Sequence, residues 1–240
     1  MSDSRPIGVF DSGVGGLTVV HELFRQCPDE SVVYFGDTAR VPYGTKSAKS
    51  VQRFAKQDAA FLLQHDVKII VVACHTASAT ALDVLKQQFR LPILGVTEPG
   101  VEAALQKSAN GRIGVIGTRG TIHSRAYNRY LQNRRPGAHI VTQPCPLFVP
   151  LAEEGWLDTE VTRQVAEIYL SPMTEAGVDT LILGCTHYPL LKGIIGQVMG
   201  NRVTLVDSAE ETVKVVRRLL QENRMLCTDR SGTGHRFFCK

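Results

Sequence analysis

The stretch Leu181-Ile182-Leu183-Gly184-Cys185-Thr186-His187 decides the fold, because Ile70-Val71-Val72-Ala73-Cys74-His75-Thr76 anticipates it earlier in the chain. Each is an aliphatic run closed by a small residue and a cysteine, followed by a threonine and a histidine. Continuous apolar runs of this length read as strands buried on both faces, the kind found in parallel sheets. A second pair of segments lies upstream of the first. Ile7-Gly8-Val9-Phe10-Asp11-Ser12-Gly13 resembles Ile113-Gly114-Val115-Ile116-Gly117-Thr118-Arg119-Gly120, each a strand running into a glycine-rich, hydroxyl-bearing turn. Ile7 and Cys74 are 67 positions apart and Ile113 and Cys185 are 72 apart, so the chain reads as a duplicated half-molecule.

Working outward, strands are expected at Ile7–Phe10, Val32–Phe35, Lys68–Ala73, Ile93–Gly95, Ile113–Ile116, His139–Thr142, Thr180–Leu183 and Val203–Val206. Helical periods such as Ser47–Gln64 and Ser78–Gln88 lie between them, the alternation of an α/β fold. Ser208-Ala209-Glu210-Glu211 reads as a capping box that opens a helix with an apolar stripe at Val213, Val216 and Leu220. The expected architecture is α/β: two similar halves with parallel sheets, related by a pseudo-twofold, with the active site in the cleft between them. The first half is expected to span residues 1–96 plus 207–240, and the second 97–206. If the halves pack face to face, the carboxyl ends of both sets of strands open on one crevice, where α/β folds place their ligands.

Composition narrows the function classes. The chain has 240 residues, 43% of them hydrophobic, enough for one large or two small cores. Its 27 basic and 23 acidic residues are scattered, for a formal charge of +4, which gives little reason to expect a nucleic-acid partner. No apolar stretch approaches the roughly 18 residues of a membrane span, and the start shows neither a signal nor a transit peptide, so a cytoplasmic location and no membrane partner are expected. The six cysteines form no C-x-x-C pair and no metal-ligand spacing, so free thiols and no metal are expected. Neither glycine turn matches a dinucleotide or P-loop fingerprint, and catalysis without a cofactor is inferred.

Cys74 and Cys185 carry the chemistry in this reading. Each follows a strand and precedes a helical start, where unpaired N–H groups and the helix dipole are expected to ease loss of the thiol proton. His187 stands two residues from Cys185, and Asp11 at the first turn is placed to sit near Cys74. Two thiols on opposite walls suit inversion of a stereocentre: one removes a proton from one face and the other delivers a proton to the opposite face. Negative charge developing on a carboxylate substrate would be met by the turns at Asp11–Gly16 and Gly117–Thr121 and by Thr76 and Thr186. The bland alternative is two buried thiols in unrelated strands.

These segments, with Tyr34–Lys46 (YFGDTARVPYGTK), Gly95–Gly100 (GVTEPG) and Pro146–Gly155 (PLFVPLAEEG), resemble the glutamate racemases of the aspartate/glutamate racemase superfamily. The resemblance implies two flavodoxin-like halves and cofactor-independent interconversion of L- and D-glutamate, supplying D-glutamate for peptidoglycan. It implies that Cys74 acts on D-glutamate and Cys185 on L-glutamate, assisted by Asp11 and His187 respectively. It places Ser12, Tyr43, Gly44, Thr76, Thr118, Thr121 and Thr186 on the substrate and Glu153 behind His187. The sequence leaves open whether the chain is a monomer or a homodimer.

Two departures stand out. The family's first motif is usually Cys-Asn-Thr, and here it is Cys74-His75-Thr76. His75 either turns one ring nitrogen to the same ligand atom, or it weakens glutamate turnover and shifts the substrate range. The chain also stops at Lys240, where relatives continue, so a covering helix of the first half is expected to be missing. Three further readings compete: a racemase of aspartate or of a broader range, a binding descendant without turnover, and a thiol redox enzyme. The last would require cysteines close enough to bond.

Overall fold

The structure is a computed structural model that describes residues 3–228 and 234–240. Residues 229–233, which fall in the expected first half, lie outside the described residues. Eight strands alternate with helices in the order the periodicity predicts: β1 Ile7–Asp11, β2 Val32–Gly36, β3 Ile69–Val72, β4 Ile93–Gly95, β5 Arg112–Gly117, β6 His139–Pro144, β7 Thr180–Gly184 and β8 Thr204–Asp207. A ninth, β9 Arg236–Cys239, comes from the tail. The helices are α1 Leu17–Gln26, α2 Ala48–Leu63, α3 His75–Gln88, α4 Thr97–Lys107, α5 Arg119–His123, α6 Ala126–Arg134, α7 Phe148–Glu153, α8 Glu160–Glu175, α9 Lys192–Met199 and α10 Ser208–Glu222.

The strands form two sheets, ordered β4-β3-β1-β2-β9 and β6-β5-β7-β8, and every pairing is parallel. Read from the other edge, the second sheet is β8-β7-β5-β6, the same order as the first four strands. The duplication therefore extends from local motif to topology. In both halves the chain leaves the first strand of its sheet in one direction and returns on the other side. That reversal makes a topological switch point between β1 and β3, and another between β5 and β7, where parallel sheets open a crevice at their carboxyl ends.

Alternation along each strand sends side chains to both faces. Phe10, Val33, Ile70 and Val72 pack under α2 and α3, while Ile7, Val9, Val32, Ile69 and Val71 face α1 and α10. The second sheet likewise separates two apolar clusters. Helix α10 follows the last strand of the second sheet but buries Val213, Val216 and Leu220 on the first. Its cap is Asp207, one residue earlier than the capping-box reading. Asp207 Oδ1 accepts from Ala209 N at 2.9 Å, and Ser208 is already the first helical residue.

The tail adds an element the sequence did not suggest, since Arg236–Cys239 forms a fifth strand beside β2. Thr38 Oγ1 donates to Lys240 O at 2.5 Å and locks that edge. At the other end of the sheet, Lys68 and Glu30 form an ion pair at 2.5 Å, with both side chains essentially inaccessible. Lys68 Nζ also donates to Asp3 O and Met225 O at 2.7 Å each. Removing either partner alone would strand a buried charge at a cost of about 3–5 kcal/mol. Among the described residues no helix is long and apolar enough to cross a membrane.

Candidate active site

The carboxyl ends of β1, β3, β5 and β7 meet in one small cavity of about 30 Å³. The first half lines it with Ser12, Tyr43, Gly44, Cys74, His75 and Thr76, and the second with Thr118, Cys185, Thr186 and His187. Val41, Pro42 and Val149 complete the wall, three apolar residues that sequence reasoning did not single out. The two cysteines at equivalent places in the repeat thus share one pocket, and the reading as unrelated core thiols does not hold.

Glycine permits the two halves to approach this closely. A Cβ on Gly15 would lie 2.5 Å from His187 Cε1 and 2.5 Å from Thr186 Oγ1. Thr18 Oγ1, which the sequence did not flag, donates across the same seam to Thr186 O at 3.0 Å. A second seam joins three hydroxyls: Thr76 Oγ1 lies 2.9 Å from Thr118 Oγ1 and 3.0 Å from Thr121 Oγ1, which are 3.1 Å from each other. Thr118 also caps α5, accepting from Thr121 N at 3.3 Å. Three small donors from both halves, converging on one spot, suit a carboxylate, which accepts several hydrogen bonds.

Cys74 is the N-cap of α3. The Ser12 hydroxyl and the N–H groups of Thr76 and Ala77 donate toward its sulfur. These donors favour the thiolate, yet burial and the nearby Asp11 carboxylate outweigh them and push the thiol up to about 12. Burial likewise pushes the Cys185 thiol up, against the pull of the His187 N–H. The expectation of lowered thiol pKa values from the helix starts is therefore corrected: in a closed cavity, desolvation is the larger effect. Asp11 is fully buried, accepts from Gly13 N at 3.0 Å, and has its carboxyl raised by burial against the opposing pull of His187.

The Cys185 wall has a different support. His187 Nδ1 lies 3.7 Å from Cys185 Sγ, and Nε2 lies 2.9 Å from Glu153 Oε1 at the end of α7. With Glu153 as acceptor, the assigned tautomer carries its hydrogen on Nε2, and the Nδ1 lone pair faces the thiol. Glu153 is half-exposed, so this line of contacts runs from the cavity to solvent.

Two of the expected substrate residues have distinctive surroundings. Tyr43 borders the cavity, and its hydroxyl is turned to Asp37 and Asp58. His75 is 4% exposed, and among the described residues neither ring nitrogen has a hydrogen-bond partner. Burial lowers its pKa to about 3, so the imidazole is neutral. No cluster of three His, Cys, Asp or Glu residues that could hold a metal ion occurs among the described residues.

Comparison with known proteins finds relatives over nearly the whole chain. The profile of the Asp/Glu/hydantoin racemase family matches residues 7–216. A glutamate racemase from Geobacter metallireducens is 53% identical over 234 residues, covering 98% of this chain and 87% of that protein. The crystal structure of a glutamate racemase isoform from Bacillus anthracis superposes with a TM-score of 0.95 at 42% identity, covering 98% of this chain and 88% of the other. That of the Francisella tularensis glutamate racemase in complex with D-glutamate gives a TM-score of 0.92 at 41% identity, covering 99% and 88%.

Proposed function

The chain belongs to the Asp/Glu/hydantoin racemase family, and from that premise we propose that it interconverts L- and D-glutamate with Cys74 and Cys185 as its two acid/base groups. The observation that carries the reading is the pair of buried cysteines in one cavity, each at the switch point of its own sheet.

From L-glutamate, the Cys185 thiolate takes the α-hydrogen as a proton, and the electron pair spreads into the adjacent carboxylate. The Cys74 thiol then gives its proton to the opposite face. Cys185 ends as thiol and Cys74 as thiolate, and the reverse reaction exchanges the roles. The raised thiol pKa values mean that bound substrate must help make the thiolate, and the ammonium of an amino acid brings the compensating positive charge. His187 relieves Cys185 of its proton through Nδ1, while Ser12 and the α3 N–H groups serve Cys74. Thr76, Thr118 and Thr121 release one another to bind a carboxylate, and Thr186 and the backbone at Tyr43–Gly44 complete the cage. Such a product would feed peptidoglycan assembly in the cytoplasm.

In deuterated water, wild type should load deuterium onto the α-carbon of either enantiomer while racemising it. Cys74→Ala and Cys185→Ala should each lower racemisation by at least about 10³-fold, since one base cannot serve both faces. Full racemisation by either variant would sink the two-base scheme. His75 supports a narrower second reading: a bulky neutral ring with two unpartnered nitrogens in the cavity wall alters which amino acids are turned over.

A further inference from the structure

The loop after β2 reaches across the cleft and lays Tyr43 and Gly44 against the second half. A Cβ on Gly44 would meet Thr118 Cβ at 2.5 Å, and one on Gly120 would meet Gly44 O at 3.0 Å. The position of this strap thus sets the shape of the cavity beside the threonine hydroxyls. Tyr43 is fully buried, and its ring sits 5.6 Å from that of Phe54. Its hydroxyl meets Asp37 Oδ2 and, at 2.7 Å, Asp58 Oδ2 of α2. Arg40 closes the cluster, with Nε 2.5 Å from Asp37 and a terminal nitrogen 3.0 Å from Asp58. Its guanidinium lies 4.3 Å from the Phe54 ring centroid.

Counting hydrogens constrains this cluster. Two contacts converge on the phenol oxygen, but a phenol owns one hydrogen, so the second contact requires a hydrogen from a carboxyl group. Asp58 is the group suited to keep it. Burial and the charge of Asp37 hold its pKa up to about 7, against the opposing pull of Tyr43, Arg40 and the more distant Lys240. Asp37 remains as the partner of Arg40, and the cluster is then neutral overall. These four groups are the titratable or charged ones that act on Asp58.

We propose that Asp58 is a positioning residue for the substrate cavity: with Asp37 and Arg40 it holds the Tyr43–Gly44 strap in its binding position through a hydrogen shared with the Tyr43 phenol, and the strap loosens when that hydrogen is lost. The inference rests on the reading of the cavity as the glutamate site. A carboxyl with a raised folded-state pKa contributes its full stabilisation at low pH and loses it as pH rises through the folded value. Glutamate binding should therefore weaken on the alkaline side of neutrality.

The test is KM and kcat for glutamate between about pH 6 and about pH 9, in wild type, Asp58→Asn and Asp58→Ala, with thermal midpoints alongside. The asparagine amide can donate to the phenol oxygen and has no proton to lose. Wild-type KM should rise above neutrality with a smaller change in kcat. Asp58→Asn should match wild type at the acidic end within about threefold and stay level across the range, whereas Asp58→Ala should raise KM about tenfold throughout. Should Asp58→Ala fail to fold, Tyr43→Phe takes its place, with the same expected rise in KM and the same flat profile. The proposal falls if Asp58→Asn follows the wild-type pH dependence, or if the alanine or phenylalanine variant keeps wild-type KM. Calorimetric binding of D-glutamate gives the same comparison without turnover. An inactive wild type that still binds glutamate with this pH dependence would break the racemase reading and leave the strap standing. A wild type that does not bind glutamate would sink both.

Discussion

The two walls of the cavity carry the same motif, yet they surround the sulfur differently. On one side Cys74 caps a 14-residue helix and is met by a hydroxyl and two backbone N–H groups, with a fully buried carboxylate nearby. On the other, Cys185 precedes only a short 3-10 turn, receives one backbone N–H, and faces an imidazole tied to a half-exposed glutamate. The histidine of Cys-His-Thr is the first residue of the helix its cysteine caps and has no hydrogen-bond partner among the described residues, whereas the histidine of Cys-Thr-His faces the sulfur. The order of two adjacent residues thus decides whether the motif's histidine stands unpartnered or faces the sulfur.

This contrast can be broken most decisively at His187. His187→Asn should lower kcat by about 10²-fold, the scale of a lost acid/base assistant. Because the enantiomers are equal in free energy, kcat/KM must remain the same in both directions, and the asymmetry has to be sought in isotope effects. The α-deuterium effect should grow from L-glutamate and shrink from D-glutamate, as the Cys185 step becomes the slower one. Equal effects from both enantiomers would mean that the walls are equivalent after all.

A smaller change is expected at Glu153, whose half-exposed carboxylate is screened by water. Glu153→Gln should cost about tenfold or less in kcat, with the same skew in isotope effects but weaker. A loss as large as that of His187→Asn would show that orientation of the ring, and not its basicity, governs the Cys185 side. The least effect on glutamate itself should come from His75→Asn, a change of about threefold in kcat/KM, within the range of one neutral hydrogen bond. Its larger signature should be in the relative rates with aspartate and other amino acids. If no tested amino acid changes its kcat/KM, His75 is a silent replacement.

Much of this was legible in the chain. Runs of three to six mostly apolar residues marked the eight strands of the two sheets near their observed places, most clearly in the central strands, which are buried on both faces. The repeated cysteine motif pointed to one shared pocket. What escaped had distributed causes. The β9 segment, Arg236-Phe237-Phe238-Cys239, pairs with the outer edge of β2, a partner about 200 residues away that local pattern does not register. The Tyr43–Asp37–Asp58 cluster joins a loop to a helix in a way that periodicity cannot register. Thiol acidity was misread because a helix start is visible in a sequence, whereas the dryness of a closed cavity emerges only when both halves are assembled.

The meeting of Thr76 with Thr118 and Thr121 has a consequence for how the molecule opens. These side chains belong to different halves, so the triangle works as a latch, and all its parts are electrically neutral. A latch of this kind does not loosen with acid or alkali, and salt barely touches it. Only a molecule bearing acceptors of its own competes for these hydroxyls directly, whereas pH would reach the cavity through the neighbouring Tyr43–Gly44 strap.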